Sequence, residues 1–206
     1  LKKRKKQLND YAVVTYINSS AAVKAESDIC CTSSNAVKVI ESVDNNKILF
    51  TPDKNLALWA KEKTGKEIAI WPGFCPTHHL IKADQISELK KQYPDSEFMA
   101  HPECTPEVCA LADFVGSTSK MFDYAQSSKA KIIIVGSEMG MLHRLKKENK
   151  DKTFLLANKQ VVCPNMKKTT LEKIRNSLVD LEPKIIVDEE IRERALASVQ
   201  KMLEVS

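Results

Sequence analysis

Short apolar runs alternate along this chain with stretches in which apolar residues return every three or four positions. YAVVTY and SEFMA are of the first kind and read as strands; the stretches after them carry the helical period of about 3.6 residues. Reading onward, the pattern predicts a strand at Ala12 to Tyr16, a helix from about Ala21 to Glu26 and a helix in NAVKVIESV. A strand in KILF, a helix at Leu56 to Lys63 and a strand near IAI follow. Apolar strands that alternate with helices belong to parallel sheets covered on both faces, so the expected fold class is α/β.

The pattern repeats. A shift of 85 positions brings Val23, Ala25, Asp28, Ser34, Ile48 and Lys61 onto Val108, Ala110, Asp113, Ser119, Ile133 and Lys146. The match runs without a gap through about 55 residues, too far for chance, and internal repeats of this kind mark repeated structural units. Similar chemistry also falls together where identity fails: Ser33 on Thr118, Asp53 on Glu138, and KILF on IIIV. Each copy closes on a Cys-Pro dipeptide, Cys75-Pro76 and Cys163-Pro164, the second after a three-residue insertion. The two cysteines therefore stand at equivalent junctions, and units closed around an axis would bring them together. In the same register LKKRKKQLND aligns with SELKKQYPD, which follows Cys75, so a further Cys-Pro is expected upstream of Leu1.

Composition narrows the class. With 43% hydrophobic and 29% charged residues in 206, the chain can bury a core and is expected to be globular. No apolar run reaches the roughly 18 residues of a membrane span, and the basic start has no apolar stretch behind it, so the expected location is cytoplasmic. The net charge of +5 comes from lysines that alternate with Glu and Asp in segments such as LHRLKKENKDK. That is a solvated helix face, without the interleaved aromatic residues of a nucleic-acid surface. Six cysteines without a Cys-x-x-Cys pair do not make a secreted disulfide framework, and any metal site must be assembled from distant segments.

Five segments carry candidate chemistry. Gly73-Phe74-Cys75-Pro76-Thr77-His78-His79 sets a thiol and an imidazole three residues apart, a donor set open to an iron–sulfur cluster, to zinc, or to a structural role. His101-Pro102-Glu103-Cys104 and its counterpart Tyr16-Ile17-Asn18-Ser19 end matching strands, where parallel sheets bind ligands. Thr32-Ser33-Ser34-Asn35 and Gly116-Ser117-Thr118-Ser119 precede helices and serve as caps, as anion sites, or as both. Glu138 and Asp53 stand at helix starts as dipole partners, and His143 reads equally as a packing or a functional residue. Cys30, Cys31 and Cys109 lack the Cys-Pro context and are expected in the core, whereas Cys104 is ambiguous.

Taken in order, TYINS, CTSSNAV, GFCPTHH, HPEC, ADFVGSTSKM, GSEMGMLHRL and VVCPNMKKTTLEKI resemble the quinolinate synthase family over essentially the whole chain. The resemblance implies three αβα domains around a pseudo-threefold axis, with residues 1–74 as the second, 75–163 as the third, and helices in 164–206 packing on the first. It implies a 4Fe-4S cluster held by one cysteine from each junction, here Cys75 and Cys163, with one iron left open as a Lewis acid. The implied reaction joins iminoaspartate to dihydroxyacetone phosphate, giving quinolinate, phosphate and water for NAD biosynthesis, with L-aspartate oxidase supplying the iminoaspartate. Carried over by motif, Tyr16, Asn18, Ser33, His78, His101, Glu103 and Thr118 would bind substrate, and Glu103, His101 and Tyr16 would act in catalysis. A different 4Fe-4S hydro-lyase and a cluster-free anion-binding fragment are the competing readings; product analysis separates the first and an iron requirement the second.

Overall fold

The structure, a computed structural model, describes residues 1–205. Its first unit runs α1 (Lys2–Gln7), β1 (Ala12–Tyr16), α2 (Ala21–Lys24), β2 (Ile29–Cys31), α3 (Ala36–Ser42), β3 (Lys47–Thr51), α4 (Lys54–Thr64) and β4 (Glu67–Ile70). The second repeats this order from a short α5 (Pro76–His79): α6 (Ala83–Gln92), β5 (Glu97–Ala100), α7 (Pro106–Cys109), β6 (Phe114–Val115), α8 (Thr118–Ser127), β7 (Ile132–Gly136), α9 (Met141–Glu148) and β8 (Thr153–Leu156). A 3-10 turn at Met166–Lys168, α10 (Leu171–Asp180) and α11 (Glu189–Val205) follow.

Both sheets are parallel throughout and share one strand order, β2-β1-β3-β4 and β6-β5-β7-β8. The repeat extends to single hydrogen bonds. Asp28 accepts the Val13 N–H at 2.7 Å, and Asp113, its counterpart, accepts the Phe98 N–H at 2.7 Å. Each aspartate thus satisfies an edge of the central strand that its sheet partner leaves unpaired.

The central strands are apolar on both faces, as the unbroken runs require. Val14, Ile48 and Phe50 pack with Ile40, Leu56 and Ala60 in the first unit. In the second, one layer gathers Phe98, Ile134, Ile81 and Ile86, and the opposite layer gathers Met99, Ile133, Val135, Met121 and Leu145. Helix starts are capped by short polar side chains: Asp53 accepts the Leu56 N–H at 2.8 Å, and Ser117 the Lys120 N–H at 3.4 Å. Gly65, at φ 66°, ends α4 in the left-handed region that a glycine enters without strain.

Two features go beyond the expected pattern. β2 and β6, of three and two residues, are too short to show a period, and each adds a strand to its sheet. The expected core thiols Cys30 and Cys31 lie on β2, fully buried. The 164–206 helices were expected to pack on the family's first domain, which this sequence does not include; among the described residues α11 lies on α2 and β2 of the 1–74 unit. Ala195, Ser198 and Met202 are buried there, Ser198 Oγ donates to the Lys24 carbonyl at 3.0 Å, and Arg194 pairs with Glu26 at 2.8 Å. The reason is physical: β2 is an edge strand, and an apolar edge is stabilised by cover. α10 leaves Leu171, Leu178 and Val179 exposed.

Candidate functional site

The carboxyl ends of the two sheets face one another, and the polar segments that end their strands meet between them. Tyr16 ends β1, His101 and Glu103 follow β5, Asp53 follows β3, and Ser137 and Glu138 follow β7. The Cys-Pro junctions follow β4 and β8. A cavity of about 380 Å³ opens here, lined by Tyr16, Asn18, Asp53, Cys75, Thr77, Glu103 and Cys163. A larger one of about 510 Å³ lies between α4 and α7 against Trp59, Cys109 and Phe114, away from the histidines. The convergence of ionisable groups, rather than volume, picks the smaller as the site.

Contacts within the second unit and across to the first, from Ser33 and Asn55, build it. His101 Nε2 is 3.2 Å from Ser33 Oγ, His78 Nε2 is 3.3 Å from Ser137 Oγ, and Asn55 Nδ2 donates to the Glu103 carbonyl at 2.9 Å. Glu103 Oε2 lies 3.4 Å from His78 Nδ1 and 3.3 Å from His101 Nδ1, and the two rings stack with centroids 4.7 Å apart. His101 Nδ1 also accepts the Glu103 N–H at 3.3 Å. That nitrogen is therefore bare, and Nε2–H donates to Ser33.

Burial sets the charges. It pushes the Glu103 carboxyl up to about 8, with the nearby Asp53 adding to the effect. It pulls His78 down to about 4 and His101 down to about 3. Near neutral pH the cluster is a protonated acid between two neutral imidazoles, so these close approaches are not ion pairs. Burial also raises the Tyr16 phenol and the Cys75 thiol, in each case with the Glu103 charge adding to it. The Tyr16 hydroxyl accepts from Asn18 Nδ2 at 3.1 Å and is hydrogen-bonded to Ser33.

The two thiol junctions are fastened alike. Asp53 Oδ2 accepts the Cys75 N–H at 2.8 Å, and Glu138 Oε1, its repeat counterpart, accepts the Cys163 N–H at 3.2 Å. The Lys54 N–H bonds the Gly73 carbonyl at 2.7 Å, and the Met139 N–H bonds the Val161 carbonyl at 2.9 Å. Glu138 further accepts from the Gly140 N–H at 2.6 Å and pairs with Lys167 at 3.2 Å. Burial works to raise its carboxyl, but those N–H groups and the Lys167 ammonium outweigh it and hold the carboxyl below its ordinary value.

Of the residues singled out in the sequence, Tyr16, Asn18, Ser33, Cys75, His78, His101, Glu103 and Cys163 come together here. Thr118 is exposed at the first residue of α8 and takes part in none of these contacts. His143 is exposed on the outer face of α9 and belongs neither to the core nor to the site. Cys104 is buried, its thiol donating to the Gly136 carbonyl at 3.4 Å, which makes it a packing residue. Sequence reading missed Asn55, whose partner lies in the other unit, and Ser137, whose partner His78 lies 59 residues away in its own unit. It also read Asp53 and Glu138 as helix-dipole partners; their coincidence in the repeat was the available sign of a shared task.

Two parallel α/β units that pool thiols, imidazoles and a buried carboxyl at their facing strand ends define a repeat protein with one composite, metal-competent site. Among the described residues, no helix is long and apolar enough to cross a membrane. The family described as "Quinolinate synthetase A protein" matches residues 1–204. The chain belongs to the quinolinate synthase family. It is 51% identical over 206 residues to the quinolinate synthase of Alkaliphilus metalliredigens, covering all of this chain and 68% of that protein. It is 50% identical over 203 residues to that of Caldicellulosiruptor saccharolyticus, covering 98% and 67%, and 53% identical over 193 residues to that of Dehalococcoides mccartyi, covering 94% and 64%. The chain spans about two thirds of the length of these relatives.

Proposed function

We propose that this chain provides two units of a cytoplasmic quinolinate synthase of NAD biosynthesis, which joins iminoaspartate, supplied by L-aspartate oxidase, to dihydroxyacetone phosphate and releases quinolinate, phosphate and water. The observation that supports it most is that Cys75 and Cys163, equivalent residues of the two units, open onto one cavity with Glu103, each with its N–H held by an acid from the equivalent loop. Unpaired thiols on braced backbone suit a 4Fe-4S cluster, with Cys75 and Cys163 as two ligands and a third from a further unit around a pseudo-threefold axis. When bound, the cluster supplies an open iron that acts as a Lewis acid on a substrate oxygen or nitrogen.

The chain's own residues bind substrate and move protons. Glu103, protonated near neutral pH, gives its proton to a departing hydroxyl and, once ionised, takes one from carbon during enolisation. His101 and His78 stay neutral, so they hydrogen-bond substrate and carboxyl without a charge that would ionise Glu103 early. Tyr16 and Asn18 hold one carboxylate end, and Ser33 and Thr118, repeat counterparts of which only Ser33 joins the contact cluster, take phosphate or carboxylate oxygens.

The test is anaerobic reconstitution with iron and sulfide of this chain joined to a preceding unit that carries a third Cys-Pro, followed by a quinolinate assay. Four irons and turnover are expected, with Cys75→Ser and Cys163→Ser each losing the cluster. Glu103→Gln should keep the cluster and lose turnover about a hundredfold or more. Full turnover in that variant would remove Glu103 from the chemistry, and turnover without iron would overturn the proposal.

A further inference from the structure

Three donors of the site form a constellation smaller than a cluster needs. Cys75 Sγ, His78 Nδ1 and a Glu103 carboxylate oxygen all lie within 4.8 Å of one another. Sγ to Nδ1 is 3.2 Å and Nδ1 to Oε2 is 3.4 Å. A tetrahedral zinc ion, with bonds of about 2.3 Å to sulfur and about 2.0–2.2 Å to nitrogen and oxygen, sets its ligand atoms about 3.3–3.6 Å apart. The sulfur–nitrogen and nitrogen–oxygen pairs already stand at close to that spacing, and the sulfur and oxygen lie within 4.8 Å.

We propose that Cys75, His78 and Glu103 form a site for a single divalent ion of the zinc type, which shuts out the iron–sulfur cluster while it is bound. The surroundings of each ligand suit that task. His78 engages Ser137 through Nε2 at 3.3 Å, which leaves Nδ1 to face the ion, the second-shell arrangement of metal-bound imidazoles. Asp53 holds the Cys75 backbone and Asn55 the Glu103 backbone, so two ligands are braced before any ion arrives. The fourth position opens on the cavity of about 380 Å³, with room for water, and three protein donors plus an open position is the arrangement of accessible zinc sites. Thiolate, imidazole and carboxylate together favour zinc over magnesium or calcium, which take oxygen alone. Cys163 is not a member of the set.

Binding of the ion does not depend on the proposed function; its consequence does, because the ion occupies Cys75 as a cluster ligand and Glu103 as the acid. Zinc bound here would therefore block both cluster assembly and chemistry.

Cobalt(II) is the probe. The chain, stripped of metal with a chelator under anaerobic conditions, should bind one equivalent, with a sulfur-to-cobalt charge-transfer band in the near ultraviolet and tetrahedral visible bands, both removed by added zinc. Cys75→Ser should abolish the charge-transfer band, and His78→Ala and Glu103→Gln should each weaken binding at least tenfold. Cys163→Ser should keep the stoichiometry and the spectrum. Circular dichroism of each variant ensures that lost binding is not lost folding. Absence of a sulfur-to-cobalt band in the folded parent chain, or its loss in Cys163→Ser, would overturn the site. Iron and sulfide uptake is read separately in the version carrying the third Cys-Pro: failure without zinc counts against the cluster, while the cobalt titration still decides the zinc site.

Discussion

Glu103 carries a strong local conflict: a carboxyl set among buried groups, with two imidazoles against it and the Asp53 carboxylate nearby. Its folded value of about 8 stands above the ordinary 4.5, so between those limits the folded protein holds a proton that the unfolded chain releases. Stability from this residue is thus fully present below about 4.5 and falls as pH rises toward 8. The histidines act in the other direction, because their folded values lie below the ordinary 6.5, and they cost stability as pH falls through that value toward 4 and 3. Glu103→Gln cannot ionise. Its melting temperature should rise relative to the parent between pH 5 and 8 and track the parent below pH 4.5, as thermal unfolding across that range would measure. A difference independent of pH would mean that the carboxyl is not held protonated.

At the scale of elements, the loops that carry the two thiols matter more than the helices between them. Gly73 passes so close to the β3–α4 turn that a Cβ there would sit 2.5 Å from the Pro52 carbonyl oxygen, a backbone atom that cannot rotate away. Gly73→Ala should therefore cost about 1–3 kcal/mol in urea unfolding and push Cys75 off Asp53. Peptide mapping after maleimide treatment should show faster labelling of Cys75 than in the parent; unchanged labelling would show that the loop absorbs the methyl group. This loop was legible in the sequence, since a glycine before Cys-Pro at the end of a repeat marks a turn. So were the central strands, whose unbroken apolar runs require burial on both faces, and the pairing of Asp53 with Glu138. Strands β2 and β6 were not, being shorter than any period. Nor was Asn55, a buried polar residue at the start of α4 whose partner, the Glu103 carbonyl, is fixed only by the docking of two units. Local pattern reports which face of an element is apolar, and it is silent on what that face meets.

At the scale of the molecule, α11 closes the first unit with residues from the far end of the chain. Met202, buried against that unit's core, is a single point of attachment large enough to test. Met202→Ala should destabilise the protein by about 2 kcal/mol or more. Removing residues 187–206 should uncover β2 and loosen the first unit before the second, visible by hydrogen exchange as faster amide exchange in 12–31 than in 97–115. Equal loss in both units would show that they unfold together.

The site is divided between the units, and that has a consequence in time. The strands beneath Cys75 have all been made by the time Cys75 itself is added, but Ser137, Glu138 and Cys163 come later, the last of them 88 residues on. At ordinary rates of protein synthesis that interval is roughly ten seconds. Throughout it Cys75 stands on a unit that still lacks α11, with none of its neighbours from the second yet folded, open to oxygen and to any stray metal. The period of greatest exposure for this thiol is therefore set by where its partners lie along the messenger, and a slower ribosome between the two Cys-Pro codons would lengthen it.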